Sequence, residues 1–379
     1  MANWIRKIAR FSSLMKVITI SVLISLLLAY LSPFVHPNTI KILPFFGLAY
    51  PVIMCFVCFF IVYWALLKSR WFFVVLITIG IGGTLHFRTL AFTFSPEKAL
   101  QSEEIIRVMS YNVRLFDVYN ESITLRNENR NAIIAYVVEK NPDVICFQEF
   151  FHQDQPSSFP TKDTLIELLK INSYHERYSH KIRDRQNFGI CMLSKYPILA
   201  KGDVMFENFA NTDNYCIFAD IVKGKDTIRV YNVHLQSIKL QQTDYALFGE
   251  KNKQSGSKKS TFRLLLDKLQ IAYPSRAEQA RRVVEHIKTS PYPVIICGDF
   301  NDTPMSYVYN QFNKTLIDSY RETSKGIGVT YAGKVPAGRI DYIFHSSNLK
   351  AQNFEIQSKP FSDHLAINCE IWRPKTSVK

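Results

Sequence analysis

The sequence predicts an α/β domain that follows three membrane-spanning helices. Residues 1–95 are dominated by three long apolar runs, whereas the remaining residues alternate short β-branched runs with amphipathic segments. Several of these later runs stop abruptly at polar side chains, as strands do where open α/β proteins carry their sites. The chain therefore divides into a membrane region (1–95), a linker (96–104), a globular domain (105–374) and a tail (375–379).

The apolar runs of the membrane region cover residues 14–31, 42–67 and 71–87. Each is close to the roughly 20 residues needed to cross the hydrocarbon core. Basic residues precede the first run and separate the second from the third, whereas only Lys41 lies between the first two. The positive-inside rule then predicts a cytoplasmic N-terminus. Three crossings place the globular domain outside the cytoplasm, in a multi-pass protein of the cell membrane.

The chain carries a formal net charge of +14, and much of this excess lies beyond the membrane region. A basic surface beside a bilayer suits anionic lipid headgroups, phosphorylated substrates and nucleic acid equally well. Charge alone does not choose among these partners. Nothing in the sequence indicates a protein partner.

Three predicted strands end in polar residues suited to chemistry. The run that begins at Pro293 ends at Gly298, and Asp299 and Asn301 follow at the exit from the strand. Asn112 and Glu149 end two earlier runs, which a helical segment separates. A strand–helix–strand unit makes its two strands parallel neighbours, so both side chains are expected at one edge of a sheet.

Further polar residues occur at the ends of later predicted strands. His234 closes the second strand of a hairpin, Asp341 lies in a strand at 338–344, and Asp363 and His364 open the last strand. A lone strand-end histidine is usually structural, so His234 becomes a candidate for proton transfer only if other site residues converge on it.

Residues 236–274 form a predicted basic insertion that is polar, rich in lysine and too short for a core of its own. Two interpretations stay open for this insertion. It is either a solvated loop or a basic flap over the site or the membrane face.

The strand-end groups have the composition of a site for phosphate-ester hydrolysis. Hard oxygen ligands without thiolates favour Mg²⁺, Mn²⁺ or Ca²⁺ over structural zinc. Attack of water on a phosphate ester needs a cation for the phosphate oxygens, a carboxylate for the water and a proton donor for the leaving group. A carboxylate such as Asp341 beside a histidine also holds the ring in one tautomer and raises its pKa.

Six short motifs, in order, resemble those of the endonuclease/exonuclease/phosphatase superfamily. They are SYNV (110–113), CFQEF (146–150), NVHL (232–235), GDFN (298–301), GRIDYIF (338–344) and SDHLAI (362–367). The resemblance covers most of the globular domain. It implies a four-layered α/β sandwich, in which two packed mixed sheets are flanked by helices.

The resemblance also implies roles for the matched residues, with Mg²⁺ or Mn²⁺ as the cofactor. Glu149 would be the principal metal ligand, assisted by Asn112 and Asp363. Asp299 would orient or activate the water and Asn301 would bind the phosphate. His364, paired with Asp341, would contact the scissile phosphate, and His234 would act near the leaving group.

Two departures from family patterns narrow the choice among the branches of the family. Arg114 stands where AP endonucleases carry an acidic residue, and the elaborations typical of inositol 5-phosphatases are missing around residues 298–302 and 338–341. The chain is therefore more similar to the sphingomyelinase-like and nuclease-like branches.

Three functions follow from this reading of the sequence. The leading hypothesis is a membrane-anchored, metal-dependent phosphodiesterase or phosphatase, with a lipid phosphodiester favoured because the anchor raises the effective concentration of a bilayer substrate. The second is a surface nuclease, for which the basic insertion would supply phosphate contacts. The third, from another class, is a catalytically silent membrane receptor with the same fold.

Overall fold

The computed structural model describes residues 2–94, 96–99, 104–157, 159–206, 214–238, 258–333 and 337–374. The middle of the predicted insertion (239–257) and the predicted tail (375–379) lie outside these residues. The chain forms two compact units. The first contains Met1–Thr89 and Thr303–Asn310, and the second contains Leu90–Asp302 and Gln311–Lys379.

The first unit is helical, and its elements follow the apolar runs of the sequence. They are α1 (Ala2–Leu31), α2 (Leu43–Leu66), α3 (Trp71–Gly82), a 3₁₀ turn (Gly83–Leu85) and α4 (His86–Thr89). Three stretches are long and apolar enough to cross a membrane: Ser12–Leu31, Leu43–Leu66 and Trp71–Thr89, with mean hydropathies of 2.3, 2.5 and 1.5. The third is not a single straight helix, because Gly83 (φ 45°) interrupts it.

Polar side chains inside the first unit pair with one another. Trp64 donates its indole N–H to Thr19 Oγ1 at 3.0 Å, which joins α2 to α1. His86 lies between two tyrosines, with Nδ1 2.6 Å from Tyr50 Oη and Nε2 3.2 Å from Tyr30 Oη. Such pairing lowers the free-energy cost of polar groups among apolar helices.

The segment Thr303–Asn310, which the sequence assigns to the globular domain, belongs to the first unit. Met305 is 1% exposed and packs in the same apolar cluster as the helices. Asn310 donates from Nδ2 to the carbonyl of Pro33 at 2.8 Å and accepts from Arg88 Nη2 at 2.9 Å. The helical unit therefore includes a piece of chain distant from it in sequence.

The second unit contains two six-stranded mixed sheets. In spatial order, the first sheet contains β13 (Lys350–Ile356), β14 (Ile367–Trp372), β2 (Ile105–Asn112), β3 (Val144–Gln153), β5 (Gln186–Ser194) and β4 (Ser173–Ile182). The second sheet contains β10 (Ile317–Asp318), β12 (Asp341–His345), β9 (Val294–Asp299), β8 (Asp226–His234), β7 (Tyr215–Lys223) and β6 (Ile198–Val204). A two-stranded ribbon pairs β1 (Ala91–Phe92) with β11 (Lys325–Gly326).

The two sheets pack face to face, and helices cover their outer faces. Apolar side chains from both sheets form one fully buried cluster between them, which includes Val108, Ile190, Val230 and Ile295. The outer face of the first sheet packs against α5 (Ile123–Lys140) and α6 (Thr161–Leu169). These layers confirm the predicted four-layered sandwich, and β2 and β3 are parallel neighbours as expected.

The outer face of the second sheet carries helix α7 (Lys258–Lys288). His286 of this helix contacts Tyr231 Oη at 2.9 Å and packs against the ring of Phe218. Two further short helices are α8 (Tyr307–Asn313), whose first four residues belong to the first unit, and α9 (Ser319–Thr323).

Some local structure differs from the pattern in the sequence. Residues 258–274 of the predicted insertion form the first half of α7, which passes through Pro274 without ending. Strand β5 (Gln186–Ser194) lies in the first sheet, whereas the next strand along the chain, β6 (Ile198–Val204), lies in the second. Strand β13 has no clear apolar signal, because three of its seven residues are only partly buried and two are exposed.

Two buried amide side chains join the sheets inside the sandwich. Gln148 of β3 donates from Nε2 to Asn232 Oδ1 of β8 at 2.7 Å. Asn232 in turn donates from Nδ2 to the carbonyls of Phe147 and Cys191, both at 3.0 Å. Both amides are fully buried, so water is not an alternative partner for either.

We expect Asn232→Ala to destabilise the second unit strongly. The substitution removes three buried hydrogen bonds, one from Gln148 and two to the carbonyls of Phe147 and Cys191, at about 1–3 kcal/mol each. The midpoint of thermal unfolding of the full chain in detergent should fall by roughly 5–10 °C. Asn172→Ala, at an exposed asparagine, is the matched control, and equal midpoints for the two variants would contradict the assigned role.

Candidate active site

Three strand ends of the second sheet place polar side chains side by side. His234 of β8 pairs in register with Asp299 of β9, and Asp299 pairs with Asp341 of β12. Directly opposed residues on neighbouring strands share one face of a sheet, so the three side chains form a row. The residues that the sequence separates widely are therefore adjacent.

Gly298 explains how β9 can end in this row. Its φ is +152°, and a Cβ atom built on it would overlap the carbonyl of Val233 on the neighbouring strand. Only glycine fits so close an approach of two backbones. The glycine therefore sets the position from which Asp299 enters the site.

Asp299 is the most deeply buried carboxylate of the site, with a side chain 1% exposed. It accepts hydrogen bonds from Asn112 Nδ2 at 3.0 Å and from the backbone N–H of Asn301 at 2.8 Å. Burial, together with the charge of Asp341, raises the pKa of Asp299, although His364, His234 and the Asn112 hydrogen bond oppose the shift. Asp299 is thus more basic than an exposed aspartate.

His364 is held by Asp341. Its Nδ1 lies 3.1 and 3.0 Å from the two carboxylate oxygens of Asp341, and its Nε2 lies 3.7 Å from Asp299 Oδ2. Burial alone lowers the pKa of His364, but the charges of Asp341 and Asp299 outweigh it and raise the pKa well above the ordinary value. The imidazole is therefore a cation at neutral pH, with Nε2 turned toward Asp299.

Glu149 enters the cluster through an irregularity in β3. The pairing with β5 shifts between Phe147 and Phe150, and Glu149 has a φ of +45°. Such bulges re-aim side chains near active sites. The Glu149 side chain is 36% exposed, and its Oε1 lies 3.9 Å from His234 Nε2. Partial removal from water, followed by the charge of Asp363, raises the pKa of Glu149 to about 7.

The remaining predicted residues lie in the same cluster. His234 Nε2 is 3.7 Å from Asp299 Oδ2. Asn301 adopts a left-handed backbone (φ 54°) and donates from Nδ2 to the carbonyl of Leu235 at 3.0 Å. Asp363, with a side chain 21% exposed, faces Arg114, whose Nε lies 3.7 Å from Asp363 Oδ2. The structure thus brings together all eight residues selected from the sequence.

Two groups of side chains in this cluster have ligand atoms for a metal ion. Asp299, Asp341 and His364 each offer one atom, and these atoms lie within 4.8 Å of one another. In this group, Asp341 holds His364 Nδ1 and, with Asp299, raises the pKa of His364 against the effect of burial, so a cation there would have to displace a proton from the ring. The sequence-predicted set of Glu149, Asn112 and Asp363 supplies only oxygen donors, which Mg²⁺ and Mn²⁺ prefer, and a cation there would offset the burial and the Asp363 charge that raise the pKa of Glu149.

Three residues outside the predicted set of site residues also support the site. Thr330 accepts from the backbone N–H groups of Ile340 and Asp341 through Oγ1 at 3.0 and 3.1 Å. Tyr331 packs edge-on against His364 with ring centroids 5.0 Å apart. Ser362 donates to the carbonyl of Asn112 at 2.9 Å. A supporting hydroxyl or aromatic side chain in a loop cannot be recognised from a single sequence, because no regular spacing of residues marks it.

A four-layered α/β sandwich with carboxylates and histidines gathered at one edge defines a class of hydrolases that act on phosphoesters. Residues 109–364 match the model of the Endonuclease/Exonuclease/phosphatase family, and the chain belongs to this family. Residues 12–89 match a domain of unknown function, DUF8431. No curated protein matches the chain.

Solved structures of the same family share the fold. A family protein from Bacteroides thetaiotaomicron is 17% identical with a TM-score of 0.51 and covers 72% of this chain and 100% of its own. A Bacteroides vulgatus protein (15%, TM-score 0.51) covers 72% and 100%, and one from Leptotrichia buccalis C-1013-b (18%, TM-score 0.50) covers 70% and 99%. At these identities the likeness establishes the fold alone.

We expect metal binding to compete with a proton on Glu149. Because the pKa of Glu149 is about 7, the carboxyl group is mostly protonated at pH 6 and mostly ionised at pH 8. The affinity for Mn²⁺, measured by calorimetry on the full chain in detergent, should rise by roughly tenfold over this range and release protons at pH 6. Glu149→Gln should bind more weakly and lose the pH dependence. Affinity independent of pH in the unmodified chain would exclude Glu149 as the principal ligand.

Proposed function

We propose that this protein is a membrane-anchored, divalent-metal-dependent phosphoesterase that hydrolyses phosphodiester or phosphomonoester bonds. One observation carries the proposal: a buried carboxylate, Asp299, lies 3.7 Å from the Nε2 atoms of two histidines, His234 and His364. A base thus stands beside two groups able to bind or protonate phosphate oxygens, which is the pairing that ester hydrolysis by water requires.

Asp299 would orient and activate the attacking water. Asn112 and the backbone N–H of Asn301 fix the orientation of its carboxylate. Its raised pKa lies closer to neutral pH than the pKa of an exposed aspartate, which favours proton transfer from water near neutral pH.

His364 and Asn301 would bind the phosphate. Asp341 occupies Nδ1 of His364, so the remaining N–H of this cation, on Nε2, is available for a phosphoryl oxygen. Asn301 uses one amide proton on the Leu235 carbonyl, and its second amide proton is available to the same phosphate.

Glu149, Asn112 and Asp363 would hold Mg²⁺ or Mn²⁺, as family membership and the oxygen donors support. The bound ion would neutralise negative charge on the phosphate oxygens as the ester is cleaved. His234, 3.9 Å from Glu149 Oε1 and 3.7 Å from Asp299 Oδ2, would serve near the leaving group.

The three long apolar helices support a multi-pass membrane protein, for which we propose a cytoplasmic N-terminus and an extracytoplasmic catalytic domain. An anchor beside a bilayer favours a lipid phosphodiester as substrate. Plasmid nicking without release of phospholipid headgroups would instead identify a surface nuclease.

We expect Asp299→Asn and His364→Ala to lower metal-stimulated hydrolysis of bis(p-nitrophenyl) phosphate by about 10²–10⁴-fold. Asn keeps the size of Asp299 and one of its two acceptor oxygens but not its basicity, and Ala removes the cation at the phosphate. The assay uses the full chain in detergent, with EDTA, Mg²⁺ and Mn²⁺ compared.

Asp226→Asn is the matched control for Asp299→Asn. Asp226 is an exposed carboxylate of the β7–β8 hairpin, paired with Arg373. Retained turnover in either site variant would contradict the role assigned to that residue. Metal binding without hydrolysis of a diester or a monoester by the unmodified chain would favour the silent receptor.

The orientation of the protein can be measured separately. A reporter fused after Lys379 that is active only outside the cytoplasm should be active, because an odd number of crossings separates the two ends. A silent reporter, with a cytoplasm-specific reporter active at the same position, would show that one helix fails to cross or that the orientation is reversed.

A further inference from the structure

The backbone immediately after Asn112 adopts an unusual conformation. Four consecutive residues, Arg114, Leu115, Phe116 and Asp117, have positive φ values of 45°, 54°, 55° and 57°. None of the four is glycine or asparagine, and left-handed conformations cost free energy at each such residue. Strain of this kind persists only where surrounding contacts over-determine it, and it concentrates at functional sites.

Contacts on both sides of the left-handed turn hold it in place. Phe116 is fully buried, and its ring packs edge-on against Phe150 with centroids 5.4 Å apart. Asp117 accepts hydrogen bonds from the side-chain amides of Asn120 and Asn129, both at 2.8 Å. The backbone N–H of Arg114 donates to Asn112 Oδ1 at 3.1 Å. The turn is thus a rigid extension of the strand that carries Asn112.

The result of this strain is the placement of one arginine at the rim of the site. Side-chain exposure increases from Asp299 (1%) to Asp363 (21%) and then to Arg114 (52%). Among the described residues, Arg114 is the only arginine or lysine within 4 Å of a carboxylate of the cluster, at 3.7 Å from Asp363 Oδ2. Its guanidinium is always charged and has five donors in a fork that matches phosphate.

We propose that Arg114 is a specificity residue that binds a second phosphate group of the substrate, next to the phosphate that is cleaved. This inference rests on the proposed phosphoesterase function. The scissile phosphate has His364, Asn301 and the metal ligands at the centre of the cluster. Arg114 lies farther out, with half of its side chain open to solvent, so its free donors face the part of the substrate beyond the reacting group.

The test compares two substrates that differ only in a second phosphate. They are thymidine 5′-(p-nitrophenyl phosphate) and the same ester with an added 3′-phosphate, assayed with the full chain in detergent. We expect the added phosphate to lower KM for the unmodified chain by roughly tenfold, the range of one charge-assisted hydrogen-bonded pair. Arg114→Gln should remove this advantage, and Arg114→Lys should restore part of it.

Arg183→Gln is the matched control, because Arg183 is also exposed and also has a positive φ (51°), in the turn between β4 and β5. The Arg183→Gln variant should still show the roughly tenfold lower KM for the substrate with the second phosphate. Vesicles of phosphatidylinositol and of phosphatidylinositol 4-phosphate provide a second pair of substrates that differ in one phosphate. If the lower KM appears only for the thymidine pair, the second phosphate belongs to a nucleotide; if it appears only for the lipid pair, it belongs to a lipid headgroup.

Two results would overturn the proposal. The first is that, in the unmodified chain, the second phosphate does not change KM in either pair of substrates. The other is an Arg114→Gln variant that loses kcat for every ester while the KM ratio persists, since Arg114 would then act only by positioning Asp363. Failure of the unmodified chain to hydrolyse any ester would instead refute the phosphoesterase function itself.

Discussion

The site depends on the hydrogen bond between Asn112 and Asp299, because it joins the two sheets where the chemistry is placed. Asn112 ends β2 of the first sheet, and Asp299 ends β9 of the second. Neither residue alone specifies a site, since each is only the last polar group of an apolar strand. The inter-sheet amide pair of Gln148 and Asn232 fixes the same alignment deeper in the sandwich. A small slip between the sheets would separate Glu149 on β3 from Asp299 on β9.

Much of this arrangement was predictable from the sequence, because strand ends in an α/β fold are constrained by topology. The polar residues that follow apolar runs, such as Glu149 and Asp299, were identified by position alone, and the parallel pairing of β2 with β3 follows from the helix between them. The six ordered motifs supplied the four-layered architecture. Periodicity and connection rules act locally or between neighbours, and here both agree with the global fold.

The remaining features depend on tertiary contacts that leave no local pattern. The positive φ of Glu149 arises from a shift in pairing with β5, and the left-handed turn at Arg114 depends on the burial of Phe116 between distant elements. Helix α7 continues through Pro274, where a stop would be expected, because tertiary packing of its second half outweighs the loss of one hydrogen bond. Strand β13 gains its place from β14 rather than from its own hydrophobicity.

The membership of Thr303–Asn310 in the helical unit has a consequence for how the protein is made. The three apolar helices leave the ribosome before the second unit, yet Met305 and Asn310, which complete their packing, are synthesised only after most of that unit. Domains usually fold as they emerge from the ribosome, but this unit has to remain unfinished while the domain that follows is translated. A fragment that begins after Thr89 would carry those residues without the helices around them, so the two units are interdependent in biogenesis as well as in sequence.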